Sequence, residues 1–173
     1  MSVKKLLSIT ECQDICDNLP ECDKITESSN YYQGTTGWLM PDIAKKYLPQ
    51  AQSLISQDYT ITELTNIYVR TYHPGCVLKM HTDQARYDVT MTVCVENTDP
   101  DFELCVSTET FLPEWPFGAE PDLKKYYDSH LSYDLRPGDA VSMQGRIYPH
   151  WRPEKRHDTD STYIFYSWQI QEP

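Results

Sequence analysis

From about Ile61 onward the apolar residues of this 173-residue chain change from a helical rhythm to alternation, and that change limits the fold more than any other feature. Ile67, Val69 and Thr71 alternate with other residues, and Val89, Met91, Val93 and Val95 do so again after a break. Successive side chains on a strand point to opposite faces, so each run predicts a β-strand with a distinct buried face. Leu104 and Val106 mark a further strand, DLRPGDAVSM reads as strand, Pro-Gly turn and strand, and STYIFYSWQI closes the chain as a β-rich segment. Before Ile61 the pattern is helical. Thr10 with Gln13 has the form of a capping box for a helix that stops near Pro20, and Pro41 opens a second helix with Ile43, Tyr47, Leu54 and Ile55 along one face. Helices followed by many short strands predict an α+β chain with a barrel-like or jelly-roll core. At this length one domain is expected over residues 1–173, with helical support over about 1–60 and the β core over about 61–173.

Two segments interrupt this order. Residues 28–37 are polar and contain glycine, with Tyr31, Tyr32 and Trp38 in or beside them, and are expected to be a loop able to reach over a pocket. Residues 97–134 are rich in proline and acids and carry Phe111, Trp115, Phe117, Tyr126 and Tyr127, which suggests a strand followed by a long insertion.

The formal net charge of -11 disfavours a nucleic-acid partner, whose phosphates call for a basic surface. No stretch has the apolar length of a membrane span, and the opening MSVKKLLSITECQ has only a Leu-Leu pair where an export signal needs an apolar core. The expectation is a soluble, cytoplasmic protein without membrane association. The six cysteines are then reduced thiols. Cys94 and Cys105 fit small core positions; Cys12, Cys16 and Cys22 lack both C-x-x-C spacing and a nearby fourth metal ligand.

The chemistry concentrates in K-M-H-T-D. Residues two apart on a strand share a face, so His81 and Asp83 would present an imidazole and a carboxylate side by side. Two histidines and one carboxylate on one face form the facial triad that holds iron(II) and leaves other positions open. Of the five histidines, His150 in Y-P-H-W-R is the best-placed third ligand, because it follows the strand over 139–143 on a separate β segment. The plain alternative is a surface His and Asp at a strand end.

The order R-T-Y-H-P-G-C-V-L-K-M-H-T-D, an alternating strand ending near Asn97, then R-P-G-D and Y-P-H-W-R resembles the 2-oxoglutarate/iron(II) oxygenase superfamily, most of all its prolyl-4-hydroxylase-like branch, over roughly residues 65–170. The resemblance implies a double-stranded β-helix (jelly-roll) core with the N-terminal helices packed on it. It also implies iron(II) on His81, Asp83 and His150, 2-oxoglutarate and O2 as cosubstrates, and hydroxylation with release of succinate and CO2. Tyr72 matches a tyrosine that hydrogen-bonds the cosubstrate in that branch, or else is a core tyrosine. The family takes the cation for the distal carboxylate from near the start of the last core strand, where this chain reads D-T-D-S-T and has none. Arg152 is the first substitute, since a guanidinium suits a bidentate carboxylate clamp, and Arg156 the second, with Ser161 or Thr162 able to add a hydroxyl. Arg86 falls near a substrate-contacting position and is otherwise an ordinary surface arginine. His73, His130 and His157 have no ligand-like neighbours.

By this resemblance the substrate is a prolyl residue of a peptide or protein, although D-F-E-L-C stands where the branch carries a Gly-rich acidic segment. A free amino acid or small metabolite is the alternative. Two non-oxygenase readings stay open, a cupin-like binding domain and an acidic interaction module. Oligomeric state is not encoded in any feature of the sequence.

Overall fold

The computed structural model describes residues 1–21, 25–28, 32–111 and 123–171. Its elements run β1 (Lys4–Lys5), α1 (Ile9–Asp17), β2 (Ile25–Ser28), β3 (Tyr32–Leu39), α2 (Asp42–Lys45), α3 (Leu48–Ile55), β4 (Ile61–His81), β5 (Val89–Glu96), β6 (Leu104–Ser107), α4 (Lys124–Asp128), β7 (His130–Tyr133), β8 (Asp139–Met143), β9 (His150–Arg152) and β10 (Ser161–Ile170).

The organising element is β4. Its first half pairs with β10, from Ile61↔Ile170 to Tyr72↔Ser161, while beyond Gly75 its second half pairs with β9 through Leu78↔Arg152 and His81↔His150. A single strand thus crosses from one sheet to the other, as strands do at the corner of a folded β layer. Gly75 makes that corner with φ of 80°, a conformation that favours glycine, and its N–H donates to the Lys155 carbonyl (2.8 Å). The larger sheet runs β1-β8-β5-β10-β4 with β3 and β2 beyond, the smaller β4-β9-β6-β7, and every pairing is antiparallel. This is a double-stranded β-helix, or jelly roll, with helices packed on its larger sheet.

Alternation distributes the core. Ile67, Val69, Val89, Met91, Val93, Ile164 and Trp168 face Ile15, Ala44, Ala51 and Ile55 of the helices, all of them buried. The opposite faces of the same strands turn inward, where Tyr72, Cys94, Leu104, Val141, Met143 and Tyr163 form a second core between the sheets. β5 is therefore buried on both sides. A fully buried Ile such as Ile15 or Ile55 contributes about 2–3 kcal/mol, so the helices are anchored mainly by these contacts.

Several local expectations are corrected. The capping box of α1 is Ser8 with Glu11, not Thr10 with Gln13, because the helix begins two residues earlier. The second helix is two: Pro41 is the N-cap of α2, and Pro49 sits in the first turn of α3. Of the 28–37 segment, expected to be a loop, the part from Tyr32 onward instead belongs to β3, which runs along the bend of β4, and 29–31 lie outside the described residues. Thr35 and Thr36 suit a strand, and Gly37 leaves room for the Tyr68 side chain, whose hydroxyl a Cβ there would displace. The region expected to be helical thus also supplies three strands. β7 and α4 fall within the 97–134 segment; Tyr31, Cys22, Trp115 and Phe117 lie outside the described residues.

Candidate functional site

The corner of β4 carries the chemistry to one place. His81 is the last residue of β4 and is paired across the sheet with His150, the first of β9, so two imidazoles separated by 69 positions stand with ring centroids 4.3 Å apart. Asp83 follows in the turn, anchored by its own N–H to the Gly145 carbonyl (2.9 Å), and its Oδ1 lies 3.6 Å from His150 Nε2. One donor atom from each of the three residues lies within 4.8 Å of the others. Gly145 makes room for this arrangement. A Cβ at that position would overlap Asp83 Oδ2 and stand 2.8 Å from its Cγ and 3.2 Å from His150 Cε1.

Both imidazoles are oriented for coordination. His81 Nδ1 donates to the Lys79 carbonyl (2.8 Å) and His150 Nδ1 to the Tyr148 carbonyl (3.1 Å). A carbonyl only accepts, so in the neutral rings the proton is on Nδ1 and the lone pair on Nε2, the form a metal requires. Burial, followed by the neighbouring His150, pushes His81 down to about 3, which keeps it neutral. Burial alone would raise the Asp83 carboxyl; His150, His81 and the Thr90 hydroxyl outweigh it and hold the carboxyl below its ordinary range.

A second His/carboxylate group, Asp99, Asp101 and His157, has a different character. Asp99 faces the ammonium of Lys155 at 3.4 Å, and both side chains are buried, so a cation already occupies that position.

From the triad a cleft of about 520 Å³ runs inward between the sheets. Its walls include Tyr72, Leu78, Thr92, Leu104 and Met143, and Arg152 lies on them with 1% of its surface exposed. Arg152 Nη1 donates to the Phe102 carbonyl (3.0 Å), whereas Nε and Nη2 have no hydrogen-bond partner among the described residues. Its guanidinium lies 3.9 Å from the Tyr163 ring centroid, 5.1 Å from Phe102 and 5.6 Å from Tyr72, and the hydroxyls of Tyr72 and Tyr163 are likewise buried without a partner. Among the described residues no carboxylate pairs with Arg152. A buried charge left this way costs several kcal/mol, and an anionic ligand would relieve it.

The other residues singled out from the sequence fall as follows. Arg156 is exposed and is not part of the cleft wall. Thr162 bonds Thr71 (2.9 Å) and Ser161 bonds Asn97 (2.9 Å), both away from the cleft. Arg86 stands at the mouth, over the Tyr87 ring at 4.8 Å. His73 bridges Thr36 (2.7 Å) and Asp160 (2.9 Å), and His130 donates to the Tyr127 carbonyl (2.7 Å). Sequence reasoning missed Arg70, Thr90, Gly145, Tyr163 and Ser167. The period of two could have placed Arg70 beside Tyr72, and Tyr163 beside Phe165 and Ser167, on one face. For Gly145 no sequence signal existed. Among the described residues, no helix is long and apolar enough to cross a membrane.

No family model matches the chain, and no curated protein matches it. Solved structures do. HygX from Streptomyces hygroscopicus, with nickel and 2-oxoglutarate bound, superposes with a TM-score of 0.72 at 12% identity, over 98% of this chain and 82% of that one. A prolyl-4-hydroxylase from Pseudomonas putida gives 0.71 at 11% identity over 99% and 92%. A prolyl hydroxylase from Trichoplax adhaerens, in complex with a hypoxia-inducible-factor peptide, gives 0.67 at 18% identity over 96% and 82%. The chain shares the fold of the 2-oxoglutarate/iron(II) oxygenases, prolyl hydroxylases among them.

Proposed function

We propose that this protein is an iron(II)- and 2-oxoglutarate-dependent oxygenase that hydroxylates its substrate and releases succinate and CO2. The observation that carries the reading is the pairing of two features in one cleft: a His/Asp/His group whose donor atoms lie within 4.8 Å of one another, and a buried guanidinium that has no carboxylate partner among the described residues. The donor set suits iron(II), and the guanidinium suits the distal carboxylate of 2-oxoglutarate. A cupin-like domain without this cosubstrate has no use for the charge of Arg152, and an interaction module has no use for the oriented imidazoles.

His81, Asp83 and His150 would hold the iron. When bound, iron(II) and 2-oxoglutarate supply the activation of dioxygen and the oxidation of a substrate C–H bond. Arg152 would donate to the distal carboxylate through Nε and Nη2, and the Tyr72 and Tyr163 hydroxyls would donate to the same anion, which satisfies four of the buried unpartnered groups around the cleft. Leu78, Leu104 and Met143 exclude water from the space between. Tyr68, Tyr87 and Arg86 at the mouth would meet the substrate.

For substrate we infer a prolyl residue of a peptide or protein, with a free amino acid or small metabolite as the second reading. The solved neighbours include both kinds, a peptide complex in the Trichoplax enzyme and hygromycin B in HygX. The compartment we assign is the cytoplasm, consistent with the free thiols of Cys12, Cys16, Cys76, Cys94 and Cys105.

The test is anaerobic reconstitution with iron(II), then air and 2-oxoglutarate, following succinate by mass spectrometry against His81→Ala. Iron-dependent succinate absent from the control establishes the class. Neither succinate nor iron-dependent binding of 2-oxoglutarate would overturn it in favour of the cupin-like or partner-binding readings.

A further inference from the structure

The two oxygens of Asp83 stand in different surroundings. Oδ1 faces His150 Nε2 at 3.6 Å, while Oδ2 accepts the Thr90 hydroxyl at 3.1 Å. Thr90 Oγ1 is in turn 3.0 Å from Ser167 Oγ, and both residues are buried, at 5% and 4% exposure. Either hydroxyl of that pair could donate in isolation, but a carboxylate only accepts, so Thr90 spends its proton on Asp83 and Ser167 must donate to Thr90. The chain of bonds therefore has one direction, from β10 through β5 to the carboxylate. Gly145 stands close to the same Oδ2, so that a Cβ there would overlap it and the carboxylate would have to shift.

Oδ2 is thus held by the Thr90 hydroxyl, with space left for it by Gly145, and Oδ1 is the oxygen that faces His150. A carboxylate free to rotate could give a metal both oxygens. That would raise the protein's share of the coordination sphere from three donors to four and remove a position needed by an oxo acid binding through two atoms together with O2.

We infer that the Ser167–Thr90 hydroxyl relay is a positioning device that keeps Asp83 a one-oxygen ligand. The inference rests on the proposed oxygenase reading and concerns two residues outside the His/Asp/His group, both on the wall of the same cleft. Thr90 and Ser167 reach the site because period-two alternation turns Thr90 to the inner face of β5 while Val89 and Met91 face the helices, and because β10 pairs with β5 at Thr90↔Ser167.

The test uses cobalt(II) as a spectroscopic probe on the full chain, with Thr90→Val (equal shape, no hydroxyl), Thr90→Ser (hydroxyl kept) and Ser167→Ala. The expected result is one weakly absorbing cobalt(II) site in the unaltered protein. In Thr90→Val the visible band should change and 2-oxoglutarate should bind the cobalt form roughly 10- to 100-fold more weakly, the usual span for loss of a ligand's supporting bond. Thr90→Ser should restore both, and Ser167→Ala should fall between. Unchanged band and affinity in Thr90→Val would overturn the inference. If that variant does not fold, Ser167→Ala decides, and its identity with the unaltered protein would overturn the relay. No cobalt(II) binding by the unaltered protein would instead overturn the oxygenase reading, so the two failures are distinguishable.

Discussion

Replacing Arg152 with methionine should stabilise the protein while abolishing cosubstrate binding, two effects of opposite sign from one residue. Arg152 is 1% exposed, and of its three nitrogens only Nη1 has a partner. Leaving Nε and Nη2 unbonded costs about 1–3 kcal/mol each. The rings of Tyr163, Phe102 and Tyr72 return part of this at about 0.5–2 kcal/mol apiece. Methionine fills similar apolar space without the charge, at the expense of about 1 kcal/mol for the Phe102 carbonyl it strands. These opposing contributions nearly cancel, and the expected gain of about 1–2 kcal/mol follows the tendency of proteins to be stabilised when buried ionic groups are replaced by apolar ones. For a chain of this length that is a rise in Tm of about 2–8 °C. The assay is thermal unfolding with manganese(II), with and without 2-oxoglutarate. At a concentration a hundredfold above Kd the unaltered protein should gain about 2.7 kcal/mol from the ligand, and the variant none. A variant less stable than the unaltered protein that still gains stability from 2-oxoglutarate would refute the reasoning.

Other substitutions probe the remaining links. Gly145→Ala should displace the Asp83 carboxylate, because the added Cβ overlaps Oδ2, and weaken metal binding by roughly 10- to 100-fold, measured by calorimetric titration with cobalt(II); unchanged affinity would show that the turn can give way. Burial pushes the Cys16, Cys76 and Cys94 thiols up to about 12, so at pH 8 only about one in ten thousand of each is thiolate. Iodoacetamide should therefore label them far more slowly in the folded protein than in urea, and rapid labelling of native Cys76 would contradict the packing. Burial raises Asp99, but the Asp101 N–H and Lys155 outweigh it and leave its carboxyl below the ordinary value. Its stabilisation is complete above the unfolded value of about 3.9 and is lost as pH falls through the lower folded one, so Asp99→Asn should flatten the fall in stability between pH 5 and about 2 in urea titrations. An equal acid fall in both proteins would remove Asp99 from the account.

What the sequence determined by itself was periodicity and its local consequences. Alternation from Ile61 onward specified strands, and through the two-residue spacing of His81 and Asp83 it specified two of the three residues of the candidate metal group, because side-chain direction on a strand follows from backbone geometry alone. The family-like order of motifs extended this to His150 and, by substitution, to Arg152. Where competing local signals existed, the sequence misled: the polar, glycine-containing residues 28–37 read as a loop, yet the free edge of β4 needed hydrogen-bond partners and took them from β3. The tertiary structure alone decided what depends on contacts between distant segments. That Arg152 is buried without a counterion among the described residues while Arg156 is exposed, that Thr90 meets Ser167 across the β5–β10 pairing, and that a turn glycine lies beside Asp83 are facts of three-dimensional packing. Nothing local distinguishes these residues from their neighbours, because the free energy that makes them matter, a desolvated charge or an excluded Cβ, exists only once the sheets have closed around them.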